Sequence, residues 1–185
     1  MESIGCRQPP LRHRERCAAR PASSKGITHQ DSTSAGCGAK LLRQPCPPEL
    51  IFDAGLGDLF VVRSAGEDDD AILIGSLEYA VEHLGSTVIV VMGHQSCGAV
   101  TAACSGEKSE SDNLEAVVSP IAPSCTKMDR AKPETLDLAV RDHVHRVSQD
   151  ILARSELLRK AAEERKISII EAYYSLDTGE VTRLH

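Results

Sequence analysis

Two side chains that suit a soft metal ion, the imidazole of His94 and the thiol of Cys97, stand three residues apart in Val-Val-Met-Gly-His-Gln-Ser-Cys-Gly-Ala-Val, residues 90–100. Both are preferred zinc ligands, and that spacing lets a ring nitrogen and a thiolate converge on one ion. A plain packing explanation, a buried Cys beside a capping His, competes with it and is the commoner outcome for bare residues, because free Cys is among the most buried types. Two other chemistries fit less well. Ser96 falls one place late for a Gly-X-Ser-X-Gly nucleophile elbow. A phosphatase-type thiolate needs an Arg a few residues downstream to hold phosphate, and Gly98–Cys104 supplies none.

The elements that must position this pair read as alternating strands and helices. Leu59–Arg63 (Leu-Phe-Val-Val-Arg) is a short apolar run suited to a buried parallel strand. Asp70 caps a helix in which Leu73, Leu77, Ala80, Val81 and Leu84 share one face, and Gly85 stops it. Ser86–Met92 then forms a second buried strand that Gly93 ends, leaving His94 and Cys97 at its carboxyl end before a further helix. In open parallel sheets ligands collect at that end, where loops carry side chains and strands hold them rigid. Ser105–Pro133 reads as a polar surface excursion with at most a short helix near Asn113–Ile121. Glu134 to about Lys166 is one long helical stretch or two, with Leu136, Val140, Val144, Val147 and Ile151 on one stripe. Ile167–Leu176 forms a last long strand, which Asp177–Gly179 turns into a hairpin with Glu180–Leu184. The order implies an α/β fold with a mostly parallel central sheet flanked by helices.

Composition narrows the function classes. A net charge of -6, no Trp and 3% aromatic residues disfavour a nucleic-acid surface, which wants basic grooves and stacking rings. No apolar run reaches bilayer length and the N-terminus lacks a secretory layout, so the expected setting is cytoplasmic, with no membrane partner. Seven cysteines without regular spacing read as thiols or metal ligands rather than a disulfide framework, with Cys104 and Cys125 as packing residues. His143 and His145 fit a solvated helix face, and the acids Glu67–Asp70 fit a loop and helix cap. Residues 1–46 carry eight basic residues (Arg7, Arg12, Arg14, Arg16, Arg20, Lys25, Lys40, Arg43) against three acids (Glu2, Glu15, Asp31) and show no period. They read as an irregular basic arm, with an organelle transit peptide as the alternative, ahead of an α/β domain over 47–185.

Four blocks in order, Pro47–Arg63, Asp69–Gly85, Val88–Val100 and Ala172–Val181, resemble β-class carbonic anhydrases. The resemblance implies reversible hydration of carbon dioxide to bicarbonate and a proton, a homodimer or higher homo-oligomer, and one zinc per subunit held by two Cys and one His. His94 and Cys97 match the second and third ligands. Zinc with three protein ligands supplies a water activated near neutral pH.

The family's first ligand opens a Cys-Ser-Asp-Ser-Arg-Val motif just before Pro-Pro-Glu-Leu, and its Asp and Arg control the open zinc position. In this chain residues 41–46 read Leu-Leu-Arg-Gln-Pro-Cys. Leu41 has no donor atom, Arg43 replaces the Asp and Pro45 the Arg. Only an irregular loop would bring Cys46 or Cys37 to the metal as a substitute. The codons CTG CTC CGA CAG CCG TGT spell Leu41–Cys46, and the same bases read one place later spell Cys-Ser-Asp-Ser-Arg and begin Val. A shifted reading frame, restored at Pro47, is therefore the expected origin of at least Cys37–Cys46, which the gene's nucleotide sequence decides. Smaller departures are Glu67, where the family usually has Asn, and Glu171, where it usually has Gly. The expected result is a carbonic anhydrase scaffold with impaired or absent activity and an open sheet edge, the alternatives being a non-catalytic binding or assembly module and a defective product with no role.

Overall fold

The computed structural model of the protein describes residues 47–66, 70–129, 132 and 135–184. It divides into two compact units, the first covering 47–59 and the second 60–184 among these residues. In the first, helix α1 (Pro48–Ile51) starts with a proline, whose missing N–H costs nothing at a helix start. The carboxylate of Asp58 then accepts the Gly55 N–H at 2.7 Å.

The second unit has α/β architecture. Helix α2 (Ala71–Leu84) begins where Asp70 accepts the Leu73 N–H at 2.7 Å and ends at Gly85, whose φ of 70° closes the left-handed cap. Strand β1 (Val88–His94) follows, then α3 (Gly98–Ser105), α4 (Asp112–Val118), a 3-10 helix (Ala122–Lys127), α5 (Leu136–Arg154), α6 (Glu156–Glu163), β2 (Ser168–Tyr174) and β3 (Val181–Arg183). β1 pairs in parallel with β2 from Val88 opposite Ser168 to His94 opposite Tyr174, and β2 pairs antiparallel with β3. The expected α/β fold, hairpin and capped helix are therefore present, on a three-stranded mixed sheet with one parallel and one antiparallel pair. Among the described residues no helix is long and apolar enough to cross a membrane.

The core lies between β1 and the two helices after the excursion. Ile89 and Val91 pack with Val144, Val147, Ile151, Leu158 and Ile167. A second cluster joins Val100, Ile121, Ala139, Val140 and Tyr173. Val140, Val144, Val147 and Ile151 of the expected stripe are buried, as period-3.6 patterning requires. Where α5 crosses β1, a Cβ on Gly93 would lie 2.7 Å from both Val140 Cγ1 and Val144 Cγ2. Only a residue without a side chain admits the helix this close. At the α5–α6 junction the buried Ser155 accepts the Leu158 N–H at 3.1 Å and donates to Glu78 of α2 at 2.6 Å.

Several expectations need correction. Leu59–Arg63 is not a strand: no ladder partner flanks it among the described residues, and Phe60 and Val61 are exposed. β1 continues through Gly93 to His94, and it is not buried on both faces. Its burial alternates, with Val88 and Val90 exposed, because among the described residues helices cover only the face of Ile89, Val91 and Gly93. On α2, Ala80 is buried and Leu77 and Val81 pack against the core as expected, but Ile74 is buried as well and Leu84 is exposed. The 105–133 excursion is more than surface, since Ile121 and Ser124 are fully buried. Cys104 and Cys125 are not separate packing thiols but a disulfide that ties α3 to the 3-10 helix. His143 is buried, not solvated, and its Nε2 meets the Gly66 carbonyl. Of the acidic run, Asp70 caps α2 as expected, and Glu67–Asp69 lie outside the described residues.

Two outcomes follow from this packing. Gly93→Ala lowers stability by about 1–3 kcal/mol through overpacking against α5, read as a lower midpoint in urea unfolding. Reducing the Cys104–Cys125 bond, whose partners are 21 residues apart, costs about 3 kcal/mol of loop-closure entropy. A Cys104→Ser, Cys125→Ser double variant should therefore melt at the temperature of the reduced wild type and be insensitive to reductant.

Candidate functional site

The carboxyl end of β1 carries the expected pair. His94 is the last strand residue, and by alternation it lies on the face opposite Gly93, away from α5. Its Nδ1 is 3.0 Å from the Gln95 carbonyl oxygen. A carbonyl only accepts, so Nδ1 is the protonated nitrogen and Nε2 keeps its lone pair for a ligand. Ser96 turns the chain with a φ of 55°, which brings Cys97 to the N-cap of α3. Cys97 is a free, half-buried thiol whose backbone carbonyl accepts from Thr101 N at 3.0 Å and Thr101 Oγ1 at 2.8 Å. The strand end and the helix start thus fix both candidate donors in a four-residue span.

Sequence reasoning missed what braces this span. Gln95 N–H donates to the Tyr174 carbonyl at 2.9 Å, which carries the β1–β2 ladder one step further. Its side-chain amide donates to Asp177 Oδ2 at 2.7 Å and accepts from Asp177 N–H at 3.1 Å and Ser175 Oγ at 3.3 Å. The signal in the sequence is only that Asp177 opens the hairpin turn, and no local pattern connects positions 82 residues apart.

A second polar group lies between α5 and β2. His145 Nδ1 is 3.0 and 3.2 Å from the two Glu171 oxygens, and Ser148 Oγ donates to the same carboxylate in a very short bond. Glu171, Lys127, Leu138, Arg141, Asp142, His145 and Leu184 line an open cavity of about 430 Å³. Beside it, Arg141 stacks 4.1 Å from the Tyr173 ring centroid. Burial, reinforced by the Asp137 carboxylate, lifts the Tyr173 phenol far above its ordinary range and keeps it neutral.

The donor types of His94 and Cys97 suit zinc, but the set is short. Among the described residues no group of three or more His, Cys, Asp or Glu is placed to hold a metal ion. Two protein donors do not make a catalytic zinc site, so the described residues do not complete one. Leu41, Arg43, Pro45, Cys46 and Cys37, on which the first-ligand question turns, lie outside the described residues.

Comparison with known proteins agrees with the architecture. The family model described as carbonic anhydrase matches residues 45–181. Carbonic anhydrase 2 of Mycobacterium tuberculosis is 35% identical over 171 residues, covering 88% of this chain and 83% of its own length. The carbonic anhydrase of Mycolicibacterium smegmatis is 36% identical over 136 residues, covering 72% of this chain and 66% of its own. Among solved structures, a β-carbonic anhydrase from Sordaria macrospora, described as tetrameric, superposes with a TM-score of 0.66 at 23% identity, covering 75% of this chain and 74% of that one. A Coccomyxa β-carbonic anhydrase in complex with acetazolamide gives 0.65 at 25% identity, covering 75% and 66%. The chain belongs to the β-carbonic anhydrases, a family defined by the hydration of carbon dioxide.

Removing the Glu171 carboxylate tests the α5–β2 tie. Glu171→Gly strips His145 and the buried Ser148 of their shared acceptor and lowers stability by about 1–3 kcal/mol. Thermal unfolding measures it; an unchanged midpoint would mean the carboxylate contributes nothing to the packing.

Proposed function

We propose that this chain is a carbonic anhydrase by descent whose residues 47–185 keep the scaffold and half of a zinc site, with carbon dioxide hydration impaired or lost. The observation that carries the reading is a mismatch. His94 and Cys97 sit at the carboxyl end of β1 with a free imidazole lone pair and a free thiol. Where the family has its first Cys ligand this sequence has Leu41, which has no donor atom, and Arg43 adds a positive charge where the family has a carboxylate. Zinc is therefore a ligand of low occupancy for the pair, and carbon dioxide and bicarbonate are the substrate class. Residues 1–46 act as a basic arm, and the cytoplasm is the expected location.

A non-catalytic assembly module is the second reading, and exposed apolar surface favours it. Ile72, Tyr79 and Leu84 of α2 and Val88 and Val90 of β1 are all exposed, and among the described residues β1 pairs on one side only. An uncovered strand edge with apolar neighbours promotes association. The Sordaria relatives are described as tetrameric, which supports a homo-oligomer here.

The deciding comparison sets the wild type beside a variant with Leu41→Cys, Leu42→Ser, Arg43→Asp, Gln44→Ser, Pro45→Arg and Cys46→Val. The variant should hold stoichiometric zinc and hydrate carbon dioxide at least about 100-fold faster than the wild type, the scale expected for restoring a ligand with its controlling dyad. Equal rates in the two proteins would refute the impaired reading. Stoichiometric zinc without turnover in the wild type would select the assembly module.

A further inference from the structure

We propose that the open cavity between α5 and the β2–β3 hairpin is a binding site for a small organic monocarboxylate, with its charge on Arg141 and its carbon chain against Leu138 and Leu184. The cavity holds about 430 Å³, within the range of small-molecule sites. It lies on the α5 side of the sheet, whereas His94 faces the other way, so it is separate from the His94–Cys97 pair.

Charge pairing along the lining singles out one group. Lys127 Nζ is 4.0 Å from Asp142 Oδ1. The His145 ring donates to Glu171 from Nδ1 at 3.0 Å, and its Nε2 accepts from the Gln149 amide at 3.1 Å. Arg141 differs: no carboxylate or carbonyl among the described residues engages its guanidinium, which lies over the Tyr173 ring, 4.1 Å from the centroid. Stacking fixes the guanidinium plane, which cuts the entropy lost when a ligand docks. The N–H donors in that plane are left for a planar acceptor, and a carboxylate matches them with two parallel hydrogen bonds. The rest of the lining restricts the class of ligand. Lys127 and Arg141 are balanced by Asp142 and Glu171, so a ligand with two negative charges meets net repulsion, while Arg141 neutralises one. Leu138 is exposed and Leu184 half-buried, and a short carbon chain laid on them removes apolar surface from water.

The test titrates butyrate, acetate, butyramide and inorganic phosphate into the full chain held metal-free, by calorimetry and ligand-observed NMR, with circular dichroism confirming that each variant is folded. The wild type should bind butyrate saturably with a Kd of about 1–10 mM, the scale for so few non-hydrogen atoms. Arg141→Gln should weaken binding at least about tenfold, and Arg141→Lys less, because an ammonium keeps the charge but lacks the fork. Butyramide and phosphate should bind at least about tenfold more weakly than butyrate, and acetate several-fold more weakly for want of the buried CH₂ groups. Leu138→Asn, at an exposed position, should erase the advantage of butyrate over acetate, which keeps the site testable if Arg141→Gln loses the Tyr173 stack and unfolds. No saturable butyrate binding to the wild type, or unchanged binding in Arg141→Gln, overturns the site. Butyramide binding as tightly as butyrate overturns recognition of the charge, and phosphate binding as tightly overturns the monocarboxylate class. An undiminished butyrate advantage in Leu138→Asn overturns the seat of the carbon chain. Because no metal is present, these outcomes are independent of the zinc reading.

Discussion

The contact between α5 and β1 at Gly93 is the constraint from which the rest of the molecule is built. A missing Cβ lets Val140 and Val144 seat directly on the strand, one residue before His94. That seating sets the height of α5 over the sheet, aligns Val147 and Ile151 with Ile89 and Val91, and commits the opposite face of β1 to Val88, Val90 and His94. The candidate ligand therefore faces away from the core because the residue before it must face inward. Close packing of this kind tolerates little change of volume, so it transmits rigidity to the strand end.

The site is built outwards from that rigid end. β1 delivers His94, a strained turn at Ser96 redirects the chain, and α3 delivers Cys97. Parallel pairing with β2 brings the hairpin alongside, and Gln95 bridges to Asp177. The Cys104–Cys125 bond holds α3 to the 3-10 helix, and His143 holds Gly66 to α5. Most of these restraints act on the backbone around the donors, and none supplies a further donor. The chain belongs to the family by its fold, while residues 41–46 read Leu-Leu-Arg-Gln-Pro-Cys where the family resemblance implies the first ligand.

Much of this was legible in the sequence because it is local. Asp70 and Gly85 announce the ends of α2 by capping chemistry, the α5 stripe by its period, and the last hairpin by its turn residues. The His94–Cys97 pair could be placed at a strand end from the apolar run before it. What was not legible depends on partners distant in sequence. Leu59–Arg63 has strand composition, yet a strand exists only with a neighbour to pair with. Val88 and Val90 read as buried because apolar composition does not reveal which face a helix will cover. His143, Glu171 and the Gln95–Asp177 bridge are contacts across elements, and the disulfide joins two cysteines whose spacing has no motif.

The central proposal is that this polypeptide offers an ion one imidazole and one thiolate, and that its described residues do not complete a protein ligand set. X-ray absorption at the zinc edge of the zinc-loaded wild-type protein counts the ligands directly. The account predicts a first shell with a single sulfur near about 2.3 Å, one imidazole nitrogen and otherwise light solvent oxygens, at partial occupancy. Two sulfurs and one nitrogen around a fully occupied ion would contradict it, because a third protein donor would then have been found within the chain as it stands.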